Sequence, residues 1–348
     1  MISTTEDKLA GPDGPPSPAA HNETAAVQPG ASGPVPPAGS GPKDAGEGAP
    51  IDREFTVEAR SQRQQIISRF FHDKLAMTGL VGFLLLLAFG FIGPLVYTIN
   101  YVTLNSGAQS VPPGTNQGGR VYPLGSDAIG RDLLAGLMLG IQRSTLVVII
   151  AVVISLTLGL FVGALAGYFG NWMDNVLMRF VDLILTIPLL VVLLIVASNF
   201  PNARTAVGVA IILGLFGWLD LSRIVRSQFL SLKEREFIEA AHALGASNWR
   251  IITRHLVPNS LGTIIVWTTL AAATAILAEA TLTFLGFGVG PQDTSLGALI
   301  SDGVQAASTR PWLFYFPGLL FLIIVLCINL IGDGIRDAFD PSNKRVRA

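Results

Sequence analysis

The chain has 348 residues, of which 50% are hydrophobic and 14% charged, and its mean hydropathy of +0.54 is that of a membrane protein rather than a water-soluble domain. A net charge of −1 gives no general attraction to nucleic acid or to anionic lipid. A single cysteine, Cys327, excludes an internal disulfide, and the four histidines (His21, His72, His242, His255) have none of the spacings of a metal or catalytic cluster.

Residues 1–57 are rich in Pro, Gly and Ala and almost free of large apolar side chains. Such a stretch buries too little surface to offset its ordering entropy, so a disordered tail is expected there, and without an apolar run it is not a signal peptide. Residues 58–74 set Ile66, Ile67, Phe70 and Phe71 beside Arg60, Arg63, Arg69 and Lys74, which predicts a basic amphipathic helix at the membrane surface, in contact with lipid. Residues 75–98 are apolar and long enough to cross about 30 Å of hydrocarbon. An extracytoplasmic loop is expected over 99–143, where Asp127, Arg131 and Asp132 are close enough in sequence to form a local ion network that shapes the loop, with direct contact to substrate as the alternative.

Five further spans are expected at roughly 145–168, 176–198, 205–222, 260–285 and 312–332, all within a core of residues 144–335, and with the first they make six. Pro188 falls inside the third, where a kink is expected. A basic tail, 336–348, closes the chain. With an even number of spans both termini lie on one side. That side carries fifteen Lys and Arg near the membrane against five on the other, which places the termini in the cytoplasm.

Between the fourth and fifth spans lies KEREFIEAAHALGASNWRIITRHLVP, residues 233–258. From Glu234 to Leu244 the spacing is helical, with Phe237, Ala240, Ala241 and Leu244 on one face. Gly245 fits a left-handed C-cap, Ser247 can cap a second short helix carrying Trp249, Ile252 and Leu256, and Pro258 is expected to stop it. The pattern describes a rigid bent finger, and equally an amphipathic loop resting on the bilayer.

Three acids lie within or beside spans. Asp182 and Arg179, and Asp220 and Arg223, have the spacing of helical pairs. Glu279 has no basic residue within a turn, so it is expected either to face a pathway or to hydrogen-bond a neighbouring helix or subunit, and the small residues around it favour a packed interface.

Glu239-Ala240-Ala241, Gly245 four positions on, and Pro258 together resemble the EAA loop of permease subunits in binding-protein-dependent ABC importers. His255 and Val257 stand where isoleucine and leucine are usual. A histidine there, followed by an aliphatic-Pro-Asn run, is similar to the dipeptide/oligopeptide branch. The stretch PLGSDAIGRDLLAGLMLGIQRSTL resembles the same branch through Gly125, Asp127, Gly130, Arg131, Asp132, Gly140, Arg143 and Ser144, with Ser126 in place of the commoner threonine. A Glu at the place of Glu279 also fits, without fixing its role.

The resemblance spans about residues 60–340. It implies an all-α membrane protein with the type I importer permease fold, six transmembrane helices, in the cytoplasmic (inner) membrane. It further implies a pathway shared with a second permease subunit, two cytoplasmic ATPase subunits docked on Glu239, Ala240, Ala241, Leu244, Gly245 and Pro258, and an external substrate-binding protein. Di- and oligopeptides are the implied cargo, with nickel complexes or glutathione carried by related systems. There is no GxxxxGK[ST] phosphate loop, so ATP and Mg are expected on the partner subunits and no cofactor on this chain. An ion-driven secondary transporter is the competing class, but it calls for inverted repeats and midplane ligands, neither of which is visible.

Overall fold

The computed structural model describes residues 62–200, 204–290 and 293–340. The tail expected over 1–57, and the chain beyond 340, lie outside the described residues. Contacts divide the chain after Glu58, and every described residue belongs to the second unit, Ala59–Ala348.

The architecture is helical. α1 (Gln62–His72) is the amphipathic segment, and Asp73 caps α2 (Lys74–Phe91) by accepting from the amides of Leu75 and Ala76. A short α3 (Gly93–Val96) ends the first span. α4 (Leu133–Phe169) is followed by α5 (Asn171–Leu185) and α6 (Leu189–Asn199), then by α7 (Ala206–Lys233). Beyond the finger come α10 (Val257–Phe284), α11 (Leu296–Val304) and α12 (Trp312–Phe339); α8 and α9 are described with the finger below. Among the described residues, five helical stretches are long and apolar enough to cross a membrane, six if α5 and α6 count as one bent span. Exposed side chains such as Leu85, Ile149 and Leu322 give these helices an apolar outer surface suited to lipid.

Several boundaries differ from expectation. The loop ends at Asp132 rather than at residue 143, because Asp132 caps α4 and the apolar residues Leu133, Leu137 and Ile141 continue the span backward into the core. A small antiparallel hairpin, β1 (Thr115–Gln117) with β2 (Arg120–Tyr122), forms in that loop about Gly118-Gly119, both at positive φ. At Pro188 the third span is broken outright, with 70° between its halves, since proline removes a backbone donor and the residues before it leave the helix. The expected pairs within helices are replaced by pairs between them. Arg223 reaches Asp182 at 2.6 Å instead of Asp220, and Arg226 grips Asp174 through both of its forks, joining α7 to α5.

The axis of the fold is the long pairing of α4 with α7. Gly159, Gly163 and Gly167 recur every fourth residue on α4, and a Cβ at Gly163 would stand 2.5 Å from the Ser222 carbonyl oxygen. The two backbones meet there because no side chain intervenes, as small residues permit in membrane bundles. α4 spans about 55 Å at 1.5 Å per residue, so it links a finger at one end with a cluster of loops at the other.

Candidate functional site

The finger begins where α7 stops at Lys233. α8 (Glu236–Ala243) carries Glu236 and Glu239 in its first turn, where carboxylates complement the helix dipole. It ends in a Schellman motif: the Gly245 amide donates to the His242 carbonyl at 2.9 Å and the Ala246 amide to the Ala241 carbonyl at 3.0 Å. Gly245 has φ +76°, in the left-handed region that favours glycine. Ser247 then accepts from the Arg250 amide and caps α9 (Asn248–Ile251).

Pro258 does not end the second helix. A π turn over Ile252–Leu256 follows α9, and Pro258 sits in the first turn of α10, so Asn248–Phe284 is one continuous rod. The wider π turn accounts for this, because it moves the hydrogen bonding to i→i−5 just where proline has no N–H to offer and where its ring would crowd an α-helical carbonyl.

The finger's two faces are also not those the helical spacing suggested. Ile238 and Ala241 turn inward with Ile251, Ile252 and Leu256, packing on Ala164, Tyr168, Leu221, Val225 and Phe229. Phe237, Ala240 and Leu244 turn outward, and Leu244 is 88% exposed and Trp249 67%. Glu239 is exposed on the same short helix. One side is therefore fixed to α4, α7 and α10, and the other offers aliphatic and aromatic groups beside a carboxylate. The sequence signal for the inner face was Ile238, three residues before Ala241; it was masked by the stronger Phe237–Leu244 pattern.

Tyr168, at the end of α4, anchors this arrangement. Its hydroxyl donates to Asn248 at 2.9 Å and lies 3.5 Å from His242 Nε2, whose ring stacks on it. Lys233 Nζ donates to the Tyr168 carbonyl at 2.9 Å. Tyr168→Phe removes the hydroxyl links from α4 to both halves of the finger. It is expected to destabilise the finger by about 0.5–1.5 kcal/mol with little change in the amount of inserted protein. Amide hydrogen exchange over residues 233–258, wild type against variant, measures this.

Glu279 is fully buried, and three hydroxyls converge on it: Ser295 at 2.6 Å, Thr283 at 3.0 Å and Ser144 at 3.3 Å. Each hydroxyl also accepts a backbone amide, from Ala298, Val289 and Leu296 respectively. The carboxylate thus ties α4, α10 and α11 together within this subunit. Ser144 and Ser295 carry no sequence signal of this role, since 135 and 16 residues separate them from Glu279.

At the opposite end, Asp127, Gly130, Arg131 and Asp132 are close together without forming an ion network of their own. Asp127 accepts from the amides of Arg131 (2.7 Å) and Ile129 (3.0 Å), and Gly130 turns at φ +83° against Asn105. Burial pushes the Asp127 carboxyl up, partly offset by those amides and by Arg131. Asp132 is buried under the Tyr97 hydroxyl (2.7 Å), with Arg120 3.6 Å away. The Arg131 guanidinium lies over the Tyr101 ring at 5.2 Å. Backbone amides satisfy Asp127 first, which leaves Arg131 free to turn to the ring.

Comparison with known proteins adds an independent line. The family described as binding-protein-dependent transport system inner membrane component matches residues 159–345, and the N-terminal TM domain of oligopeptide transport permease C matches residues 61–113. The oligopeptide transport system permease protein OppC of Mycobacterium tuberculosis (strain ATCC 25618 / H37Rv) is 41% identical over 291 residues, covering 84% of this chain and 98% of that protein. OppC of Escherichia coli (strain K12) is 38% identical over 294 residues, covering 84% and 96%. A solved structure of the MetNI methionine ABC transporter in inward-facing conformations is similar at a TM-score of 0.47 and 20% identity, covering 58% of this chain and 94% of that one.

Proposed function

Because the chain belongs to the binding-protein-dependent transport system inner membrane components, as an ABC importer permease of the oligopeptide branch, we propose that its finger is the point where ATPase motion enters the membrane. The protein is a multi-pass inner-membrane permease and its relatives are transport subunits rather than enzymes. The observation that supports the coupling role is the two-sidedness of residues 233–258. Ile238, Ala241, Ile251 and Leu256 fix the finger to three spanning helices, while Phe237, Leu244 and Trp249 stand free on its outer side.

In this reading a cytoplasmic ATPase receives that outer side in a cleft. Two such ATPases carry the ATP and Mg, a second permease subunit completes the pathway, and an external binding protein delivers di- or oligopeptides. Both termini then lie in the cytoplasm, as the Lys and Arg distribution supports. The continuous rod from Asn248 to Phe284 makes the coupling mechanical: displacement of the finger moves α10 as a lever whose far half carries Glu279. The relatives' names, which speak of oligopeptide transport, support peptides as the cargo in this reading.

The test is affinity purification of the chain from membranes, followed by uptake in vesicles. A stoichiometric ATPase and vanadate-sensitive peptide uptake are expected. Ionophore-sensitive uptake with no ATPase in the complex would instead establish an ion-driven carrier.

A further inference from the structure

At the end of the bundle remote from the finger, a cavity of about 540 Å³ opens between the loop before α4, the start of α7, the segment after α10, and α11. Its walls carry six charged side chains: Asp127, Asp293 and Asp302 against Arg131, Arg204 and Arg310. The formal sum is zero, so neither a net anion nor a net cation is favoured.

These charges do not cancel one another in place. Among the described residues no ion pair joins any two of the six, and only Asp293 is paired at all, with Arg143 outside the wall at 3.3 Å. Arg131 is turned onto the Tyr101 ring, and Arg310 donates to the Ser110 hydroxyl at 2.6 Å. Arg204 gives one N–H to the Gly286 carbonyl at 2.8 Å, while its Nε is enclosed without a hydrogen-bond partner among the described residues. Burial pushes the Asp302 carboxyl up, the nearby Asp127 adds to the rise, and Arg131 only partly opposes it. At one end Asp302, exposed on the cavity wall, has no cationic partner among the described residues, and at the other the half-buried Arg204 donates only to the Gly286 carbonyl. A ligand carrying both opposite charges matches both ends at once.

We propose that this cavity receives a short peptide with free termini, its ammonium set against Asp302 and Asp127 and its carboxylate against Arg204. The inference rests on the peptide-importer reading and adds to it a selective site on the permease itself. Volumes of about 300–1,000 Å³ hold drug-sized ligands, which corresponds to a peptide of a few residues or the end of a longer one. Sited at the mouth opposite the finger, the cavity lies where a peptide would leave an external binding protein and enter the pathway.

The test uses the assembled complex in nanodiscs without the external binding protein, so that only the membrane subunits contribute to recognition. Binding of a tripeptide, of its C-amidated form and of its N-acetylated form is followed by saturation-transfer NMR for the wild type, Arg204→Gln and Asp302→Asn. Amidation should weaken binding to the wild type about tenfold but leave binding to Arg204→Gln unchanged from its already weakened level. Acetylation should show the same relation with Asp302→Asn. Arg204→Lys, which keeps the charge, should be intermediate and serves if the glutamine variant fails to assemble.

Absence of saturable binding to the wild type, or caps that act equally on wild type and variants, overturns the assignment. Cap-independent behaviour, together with variants that no longer retain the external binding protein when it is added to the nanodiscs in a parallel assay, would overturn the peptide site and show the cavity to be a protein docking surface. ATP-driven uptake by the wild type with its binding protein is measured separately. Its absence would sink the importer reading, whereas its presence beside a failed cap test sinks the peptide site alone.

Discussion

Gly245→Val is expected to abolish most ATP-driven uptake while leaving the protein inserted and able to recruit its external partner. Gly245 stands at φ +76°, and a residue with a Cβ costs about 1–2 kcal/mol in that conformation, more when β-branched. A Cβ there would meet nothing within 4 Å, so the penalty is a backbone penalty, with no clash to confuse it. Relief comes by leaving the left-handed region, which breaks the Gly245–His242 and Ala246–Ala241 hydrogen bonds and releases Leu244 from its set position relative to Trp249. A cost of 1–2 kcal/mol lowers the equilibrium constant for the correctly bent finger about 5- to 30-fold, and for a finger that is only marginally held uptake should fall by up to that factor. Gly245→Asn is the control, since asparagine tolerates positive φ and should retain most activity. Wild-type uptake by the valine variant, at normal protein level, would show that the bend transmits nothing.

The features legible in the sequence and those that were not differ in range. Spans, the glycine reversal at Gly245 and the Ser247 cap depend on composition or on neighbours a few residues apart, and each can be read directly. The partners of Asp182 and Asp174 lie 41 and 52 residues away on α7, so a search confined to one helical turn assigned Asp182 to the wrong arginine. Pro258 was misread because a single π turn upstream changes what proline means, and that turn has no signature in composition. On α8 the misfit has a different reason: Ala241 falls in with the apolar stripe of Phe237, Ala240 and Leu244 at helical spacing, but it turns inward with Ile238, although such a stripe as a whole ordinarily faces a core. Here the rest of it stays exposed on the surface that the proposed partner would cover, the kind of place where local pattern and function part company.

Glu279 supports the second large effect, and two substitutions separate its possible roles. Glu279→Leu deprives the Ser144, Thr283 and Ser295 hydroxyls of their common acceptor in a site with no exposure. Two of the three bonds, from Ser144 and Ser295, run between helices, and such bonds in membranes contribute about 0.6–1.7 kcal/mol each, so their loss should cost about 1–3.5 kcal/mol. A large fraction of a domain's stability would disappear, and the assembled complex should melt well below the wild type or fail to accumulate.

Glu279→Gln keeps an oxygen that can accept from Ser295 and Thr283. It also supplies an N–H that can donate to Ser144, whose oxygen already accepts the Leu296 amide and retains a second lone pair. If the carboxylate serves as a tie between α4, α10 and α11, the glutamine protein should melt within a few degrees of the wild type and transport normally. A charge that acts on passing substrate gives the opposite pattern: normal melting with lost transport. The geometry favours the tie, because three hydroxyls of this chain converge on the carboxylate and each is anchored by a backbone amide. Under the proposed coupling, such a knot would let α10 pass a push from the finger to α4 and α11 together, rather than sliding past them.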